Sequence, residues 1–221
     1  KSFWEKIYEP MIRKAAGLGR LSGQANRDRY EKAFAFCDLL VIGGGPTGLI
    51  AALQAGRAGL SVILADEDYR FGGSLNAETA HIGDVCADQW VDSIVQELSD
   101  LPNVQLMTRT TITGAYDQGT FGALERVSKH LAFPSKELPV ECFWRIVAKR
   151  SILASGALER FIAFPNNDRP GIMTASAVRT YINRYAVSPG RSVAVFANND
   201  GAQQTVIDLQ AAGVQIAAYV D

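Results

Sequence analysis

The hydrophobic positions in the first half of the chain form short uninterrupted runs separated by helical patterns. Apolar runs at residues 38–42, 61–65 and 104–108 are bounded by turn and polar residues, as are strands buried on both faces of a parallel sheet. Residues 46–58 are rich in alanine and leucine, and residues 88–98 carry apolar side chains at helical spacing. The order predicts an α/β fold in which parallel strands alternate with helices.

From residue 111 the apolar positions begin to alternate with polar ones. Three such segments, TTITGAY, TFGALERVS and CFWRIVAKR, are separated by turn residues and predict a β-meander laid over the parallel sheet. Residues 151–154 then predict a further apolar strand.

The end of the chain repeats the order of its beginning. After a predicted helix at residues 174–185, residues 192–196, 200–212 and 214–220 read as strand, helix and strand. We interpret them as the start of a second nucleotide-binding-like βαβ unit.

A glycine turn between the first strand and the first helix carries the candidate chemistry. Residues 43–48, GGGPTG, fit the dinucleotide pattern G-x-G-x-x-G. Gly43 permits the sharp turn, Gly45 lets the backbone approach a pyrophosphate, and Gly48 lets the helix pack closely on the strand. Pro46 suits the first helical position, and with Thr47 it completes the turn at a helix N-terminus that attracts anions. The fold class is therefore a Rossmann-like FAD/NAD(P)-binding fold with a parallel sheet plus a β-meander.

An acidic residue follows the second strand, where a carboxylate can accept hydrogen bonds from an adenosine ribose. Asp66 stands 18 positions after Gly48, and the adjacent Glu67 is the alternative. A carboxylate here disfavours NADP, whose 2′-phosphate would be repelled. Both NAD and FAD share the ADP half that this pattern recognises. The remaining candidate contacts lie at strand ends and in a second glycine pair: Gly73, Ser74, Thr110, Thr111, Ser155 and Gly156.

The second unit lacks the glycines of the first. The equivalent positions hold Ala197, Asn199 and Ala202, and an asparagine in the middle position obstructs a pyrophosphate. We expect this site to be weak or empty, although Gly201 and Asp221 leave a distorted site open.

Composition narrows the functional class. The formal charge of 221 residues is −1, with Lys and Arg scattered among acids, so we expect no nucleic acid as a partner. No apolar run is long enough to span a membrane. Three widely spaced cysteines indicate a reducing compartment and a cytoplasmic location. They form no metal-ligand pattern, and we assign no metal and no catalytic side chain.

These patterns divide the chain into four parts. We assign residues 1–36 to an N-terminal arm, 37–158 to a dinucleotide-binding domain, 159–173 to a linker and 174–221 to an incomplete second Rossmann-like unit. The arm is expected to pack across its own domain or to form a contact surface for another chain, and Pro10 to interrupt its helix. Because a single βαβ piece cannot bury both faces of its sheet, we expect further chain beyond it.

Several motifs together resemble one family of oxidases. GGGPTG, the acid after VILAD, FGGSL, ILASGALER, FPNNDRPGIM and SVAVFANNDGA are similar to the α subunits of heterotetrameric sarcosine oxidase. Related subunits belong to opine and proline dehydrogenases and to hydrogen cyanide synthase. Ser155 stands where the family usually has threonine, and Phe161 stands where many relatives have proline.

The resemblance implies a function for the assembly. It implies that such a subunit holds NAD at residues 43–48, or FAD in some relatives. It also implies an FMN at the interface with a smaller subunit. A further FAD, where sarcosine is oxidised, is implied on another chain. The expected partners are therefore smaller flavin-carrying subunits of a hetero-oligomer, and the chain alone is expected to be inactive.

Overall fold

A six-stranded sheet forms the centre of the first two-thirds of the chain. The computed structural model describes residues 2–19, 23–26, 28–199 and 201–220. The strands of this sheet are β1 (Tyr30–Ile42), β2 (Val62–Ala65), β5 (Val104–Met107), β6 (Thr110–Tyr116), β7 (Thr120–Arg126) and β8 (Glu141–Leu153). A small separate hairpin is formed by β3 (His81–Ile82) and β4 (Val85–Cys86). The strand order in the large sheet is β5-β2-β1-β8-β7-β6.

The parallel part of this sheet is the predicted nucleotide-binding scaffold. β1 pairs in parallel with β2, and β2 pairs in parallel with β5. Helices α2 (Pro46–Arg57) and α3 (Ala87–Asp100) cover one face. Their apolar side chains pack against the sheet in a core that includes Leu49, Leu64 and Val91, each at most 1% exposed. The prediction of an α/β fold is confirmed.

The meander is confirmed, but its third strand is longer than predicted. CFWRIVAKR and the predicted strand at residues 151–154 are one continuous strand, β8, because hydrogen bonds to β1 run from the Tyr30–Glu141 pair to the Ile42–Leu153 pair. β8 also pairs antiparallel with β7, so the meander continues the parallel sheet.

A second core lies on the face of the sheet opposite the helices, because alternate positions of β1 and β2 pack in it. Cys37 and Leu40 of β1 pack in the same cluster although they are three positions apart. Between them, the side chains of β1 that face this core change from odd-numbered to even-numbered positions. That cluster joins Ile146 of the meander to Ile63 of β2. Ile146 and Leu40 are fully buried members of this second core.

The N-terminal arm is shorter than predicted and is helical. Residues 30–36, assigned from sequence to the arm, belong to β1, because their alternating side chains pair with β8 along the meander. Trp4–Tyr8 form a π-helical turn that runs into α1 (Glu9–Ala15). Pro10 does not interrupt the helix, since it lies at the start of α1, where a missing N–H costs little.

The apolar side chains of this arm face solvent. Trp4 is 58% exposed and Met11 is 65% exposed. The interpretation that the arm packs across its own domain is therefore wrong.

Among the described residues, no helix combines the length and apolarity that crossing a bilayer requires.

The second βαβ unit forms a separate small layer. β9 (Ser192–Phe196) and β10 (Gln215–Val220) pair in parallel, and α5 (Gly201–Ala211) packs on them around the fully buried Leu209. α4 (Ala175–Arg179) continues as a π-helical turn, Thr180–Arg184. Residues 159–173 contain turns but no strand or helix. Asp221, proposed for a distorted second site, lies outside the described residues, as does Asp200.

Candidate functional site

The glycine turn connects the end of β1 to the start of α2, and two of its glycines are fixed by packing. Gly43 has φ +103°, and a Cβ there would overlap the carbonyl oxygen of Ala154 after β8. A Cβ on Gly48 would overlap the carbonyl oxygen of Gly43. These two positions therefore require glycine for the fold itself, whether or not a ligand binds.

Gly45 differs because the protein leaves space beside it. A Cβ there would meet nothing closer than the Cα of Gly73, at 3.8 Å. Gly45 is also the N-cap of α2, with no capping side chain, and Pro46 is at the first helical position. An open space at an uncapped helix N-terminus suits a pyrophosphate, and the residues present fit a dinucleotide. Thr47, in the first turn of α2, is exposed on the same helix end.

The two acidic residues after β2 have different environments. The Asp66 carboxylate accepts hydrogen bonds from the backbone N–H of Gly44, at 2.5 Å, and of Asp68, at 2.8 Å. Both of its oxygens therefore hold the backbone around the site. Glu67, the next residue in the chain, is exposed to solvent. Asp66 therefore has a structural role at the glycine turn, and the ribose contact stays a prediction for Asp66 or its neighbour Glu67.

The second glycine pair lies against the glycine turn. The backbone N–H of Gly72 donates to the carbonyl oxygen of Gly44, at 2.8 Å. Gly73 has φ +55°, and a Cβ there would lie 2.8 Å from the Cα of Gly45. Ser74 follows, exposed, in a short 3₁₀ helix, Gly73–Ala77. The structure thus brings Gly73 against Gly45, and Ser74 is the next residue in the chain.

The remaining candidate residues differ in how close they lie to the glycine turn and in how exposed they are. Ser155 lies beside Gly43, and Gly156 is exposed with φ +70°. Thr110 is 1% exposed, and its hydroxyl donates to the carbonyl oxygen of Thr108, at 3.0 Å. Its side chain supports the fold, because it is buried and already hydrogen-bonded. Thr111 is half-buried at the start of β6.

Several residues at the site were missed from sequence. Gly44 packs so closely on Phe71 that a Cβ would overlap its ring. Asp68, third in the run Asp66-Glu67-Asp68, binds Arg184 of the second unit through two hydrogen bonds, of 2.6 and 2.9 Å. The run of three acids signals the loop, but no local signal points to Arg184, which is 116 positions away.

The turn of the second unit resembles the first only in its order of elements. Ala197 and Ala202 are buried, and Asn199 accepts a hydrogen bond from the backbone N–H of Gly201, at 2.9 Å. The asparagine side chain therefore occupies the helix start. Within the described ranges, no three His, Cys, Asp or Glu side chains converge as a metal site requires.

The fold and the glycine site define a class of protein. Residues 38–132 match the family model described as FAD dependent oxidoreductase. L-proline dehydrogenase from P. horikoshii has the same fold, with a TM-score of 0.71 and 24% identity, over 90% of this chain and 38% of that one. Residues 38–132 therefore have the fold of the FAD-dependent oxidoreductase class.

Within that class, the chain is similar over nearly its whole length to sarcosine oxidase α subunits. It is 55% identical to the sarcosine oxidase α subunit of Rhizobium meliloti (strain 1021), over 99% of this chain and 22% of the relative. The corresponding subunit of Corynebacterium sp. (strain U-96) is 40% identical, over 91% of this chain and 21% of that protein. An opine oxidase subunit of Agrobacterium tumefaciens (strain Ach5) is 30% identical, over 72% of this chain and 31% of its own length. The chain spans about a fifth of the length of the sarcosine oxidase subunits.

Proposed function

We propose that this chain is the dinucleotide-binding part of the α subunit of a multi-subunit flavoprotein oxidase. The whole enzyme oxidises sarcosine with water to glycine and formaldehyde, and the two electrons reduce O₂ to hydrogen peroxide. The observation that carries this proposal is the open space at Gly45, at the N-terminus of α2, in a chain 55% identical to a sarcosine oxidase α subunit.

The cofactor proposed for the glycine site is NAD, with FAD as the alternative. The helix N-terminus and Glu67 supply the pyrophosphate and ribose contacts that both share. The family description favours FAD, because it names an FAD-dependent oxidoreductase. The resemblance adds an FMN at a subunit interface and an FAD on another chain, so the partners are smaller flavin-carrying subunits.

The role of this chain is to hold and orient a cofactor, while flavins elsewhere carry the oxidation. An NAD that never changes redox state, and serves to rigidify the fold, is a variant of the same proposal. A related opine-oxidising enzyme is the second candidate, favoured by the 30% identity to an opine oxidase subunit. We place the enzyme in the cytoplasm, supported by the free thiols of Cys37, Cys86 and Cys142.

The test is cofactor analysis of the intact purified complex. We expect mass spectrometry of the released cofactors to find NAD in equal amount to the α subunit, together with FAD and FMN. Sarcosine added without oxygen should bleach the flavin absorbance, and a constant nicotinamide signal would identify the NAD as structural.

A single substitution at the glycine turn tests whether the released nucleotide comes from this site. Gly45→Ala should remove one nucleotide and leave the other cofactors in place. If FAD is lost, the alternative cofactor is correct. An unchanged nucleotide content would overturn the site, and bleaching by opines or proline but not by sarcosine would overturn the substrate.

A further inference from the structure

We propose that the second unit is a clamp for the first nucleotide site, with Arg184 and Asn183 as its positioning residues. The proposal rests on the dinucleotide function proposed above for residues 43–48. Both residues lie at the end of the helical segment Ala175–Arg184, formed by α4 and its π-helical turn. From there they reach the two loops that contact the glycine turn, one at Gly44 and the other at Gly45.

Arg184 holds the acid loop, residues 66–70, which follows β2. Its guanidinium donates two hydrogen bonds to the Asp68 carboxylate, at 2.6 and 2.9 Å, and lies 4.8 Å from the ring centroid of Tyr69. The side chain of Arg184 is 14% exposed, so the pair is largely shielded from solvent. A shielded two-point ion pair resists salt and fixes orientation better than an exposed one.

The position of Asp68 makes this contact relevant to the ribose. Asp68 directly follows Glu67, and its backbone N–H donates to Asp66. The backbone N–H of Arg109 in turn donates to the carbonyl oxygen of Asp68, at 2.7 Å. Arg184 therefore fixes the centre of the loop from which Glu67 extends.

The charge state of Asp68 agrees with this role. Burial alone would raise the pKa of the carboxyl, but the hydrogen bonds from Arg184 hold it below its ordinary value. The ion pair is therefore present throughout the neutral range.

Asn183 holds the second loop, which begins at the glycine pair. Its side-chain amide donates to the carbonyl oxygen of Ala77, at 2.8 Å, and to the Asp208 carboxylate, also at 2.8 Å. The hydroxyl of Thr79 donates to the same carboxylate, at 3.2 Å. Asp208 is 4% exposed, so these bonds form inside the contact between the two units.

This second loop is continuous with the space beside Gly45. Ala77 ends the 3₁₀ helix that starts at Gly73, and Gly73 lies against Gly45. Arg179 adds an ion pair to Glu78, at 3.4 Å. The segment Ala175–Arg184 thus binds both walls of the nucleotide site, while its own unit has a turn obstructed by Asn199.

The consequence is a thermodynamic link between docking of the second unit and nucleotide affinity. Loops that are already fixed lose less conformational freedom when a ligand binds. Because such coupling is reciprocal, a bound nucleotide also tightens the contact between the units.

The test compares Arg184→Gln with Arg57→Gln in the intact protein. Arg57 makes a similar two-point ion pair with Glu97, at 2.6 and 2.8 Å, but the pair is exposed and lies within the first unit. Titration of the nucleotide-free protein with ADP and with inorganic pyrophosphate gives the two affinities. We expect Arg184→Gln to weaken ADP binding roughly fivefold or more, with little change for pyrophosphate, and Arg57→Gln to change neither.

A second variant keeps the proposal testable if Arg184→Gln does not fold. Asp68→Asn should give the same loss of ADP affinity, and where both variants fold, combining them should add little. Unchanged ADP affinity, or equal losses for ADP and pyrophosphate, would overturn the clamp and leave the nucleotide site standing. A wild-type protein that binds no ADP would instead overturn the proposed function.

Discussion

At the scale of single residues, the glycines of the turn separate binding from folding. Gly48→Ala should destabilise the protein by roughly 1–3 kcal/mol or more, because the added methyl overlaps the carbonyl oxygen of Gly43. Gly45→Ala should keep the unfolding midpoint and weaken ADP binding at least about tenfold, or about 1.4 kcal/mol, since the methyl enters the ligand space. Urea unfolding and ADP titration measure the two effects. Equal stability losses in the two variants would contradict this assignment.

Substitutions of the two acidic residues should likewise have separate effects, one on stability and the other on ADP binding. Asp66→Ala should lower stability by about 1–3 kcal/mol, because it leaves the backbone N–H groups of Gly44 and Asp68 without an acceptor. Glu67→Ala should leave stability unchanged and weaken ADP relative to pyrophosphate, which has no ribose. If Asp66→Ala alone weakens ADP binding without a loss of stability, Asp66 is the ribose acid after all.

The buried thiol of Cys37 should be unreactive at neutral pH. Burial raises its pKa to about 11, so the stability gained from keeping it neutral is present below pH 9 and is lost as the pH rises through about 11. At about pH 8 we expect iodoacetamide to label the half-buried Cys86 at least about tenfold faster than Cys37. Peptide mass spectrometry gives both rates, and similar rates would show that Cys37 is accessible.

At the scale of elements, the start of α4 depends on a carboxylate from the preceding loop. Glu159 accepts hydrogen bonds from the backbone N–H groups of Ala175, at 3.2 Å, and Ser176, at 2.7 Å. Thr174 is the N-cap residue of α4, but its side chain makes no capping hydrogen bond. Glu159→Ala should lower the unfolding free energy by about 0.5–1 kcal/mol, while Glu137→Ala, an exposed control, should not.

The pH dependence of this cap has a definite sign. Burial alone would raise the pKa of Glu159, but hydrogen bonds from Ser176 and Ala175 hold it below the ordinary 4.5. Its contribution is present above about pH 4.5 and is lost as the pH falls through the lower folded value. Urea unfolding of the wild type and Glu159→Ala should therefore differ at pH 7 and converge under acid conditions.

The elements also show what sequence could and could not predict. The packing roles of Gly43 and Gly48 were predictable because they depend on neighbouring backbone. Spacing alone could not separate Asp66 from Glu67, since both satisfy it and they differ only in their exposure and in the backbone hydrogen bonds that Asp66 accepts. The continuity of β8 was missed because the segment changes from an alternating to an apolar pattern.

At the scale of the whole molecule, the contacts between distant segments were beyond sequence reasoning. Two units were expected, but their connection through Arg184 and Asp208 was not. Such contacts depend on how helices and loops pack in three dimensions, and they leave no periodicity in the chain. The exposed aromatic side chains in the first half of β1, Phe34 at 64% and Phe36 at 73%, likewise follow only from the observed pairing with β8.

The long pairing of β1 with β8 has a consequence for how the protein is made. The two strands are separated by about 110 positions in the chain, so the centre of the sheet cannot close until the ribosome has released β8. At about 5–20 residues per second, this delay lasts roughly 6–20 s. During that time the apolar edge of β1 is unpaired and open to aggregation or chaperones. Synthesis rate between β1 and β8 should therefore influence the yield of native protein.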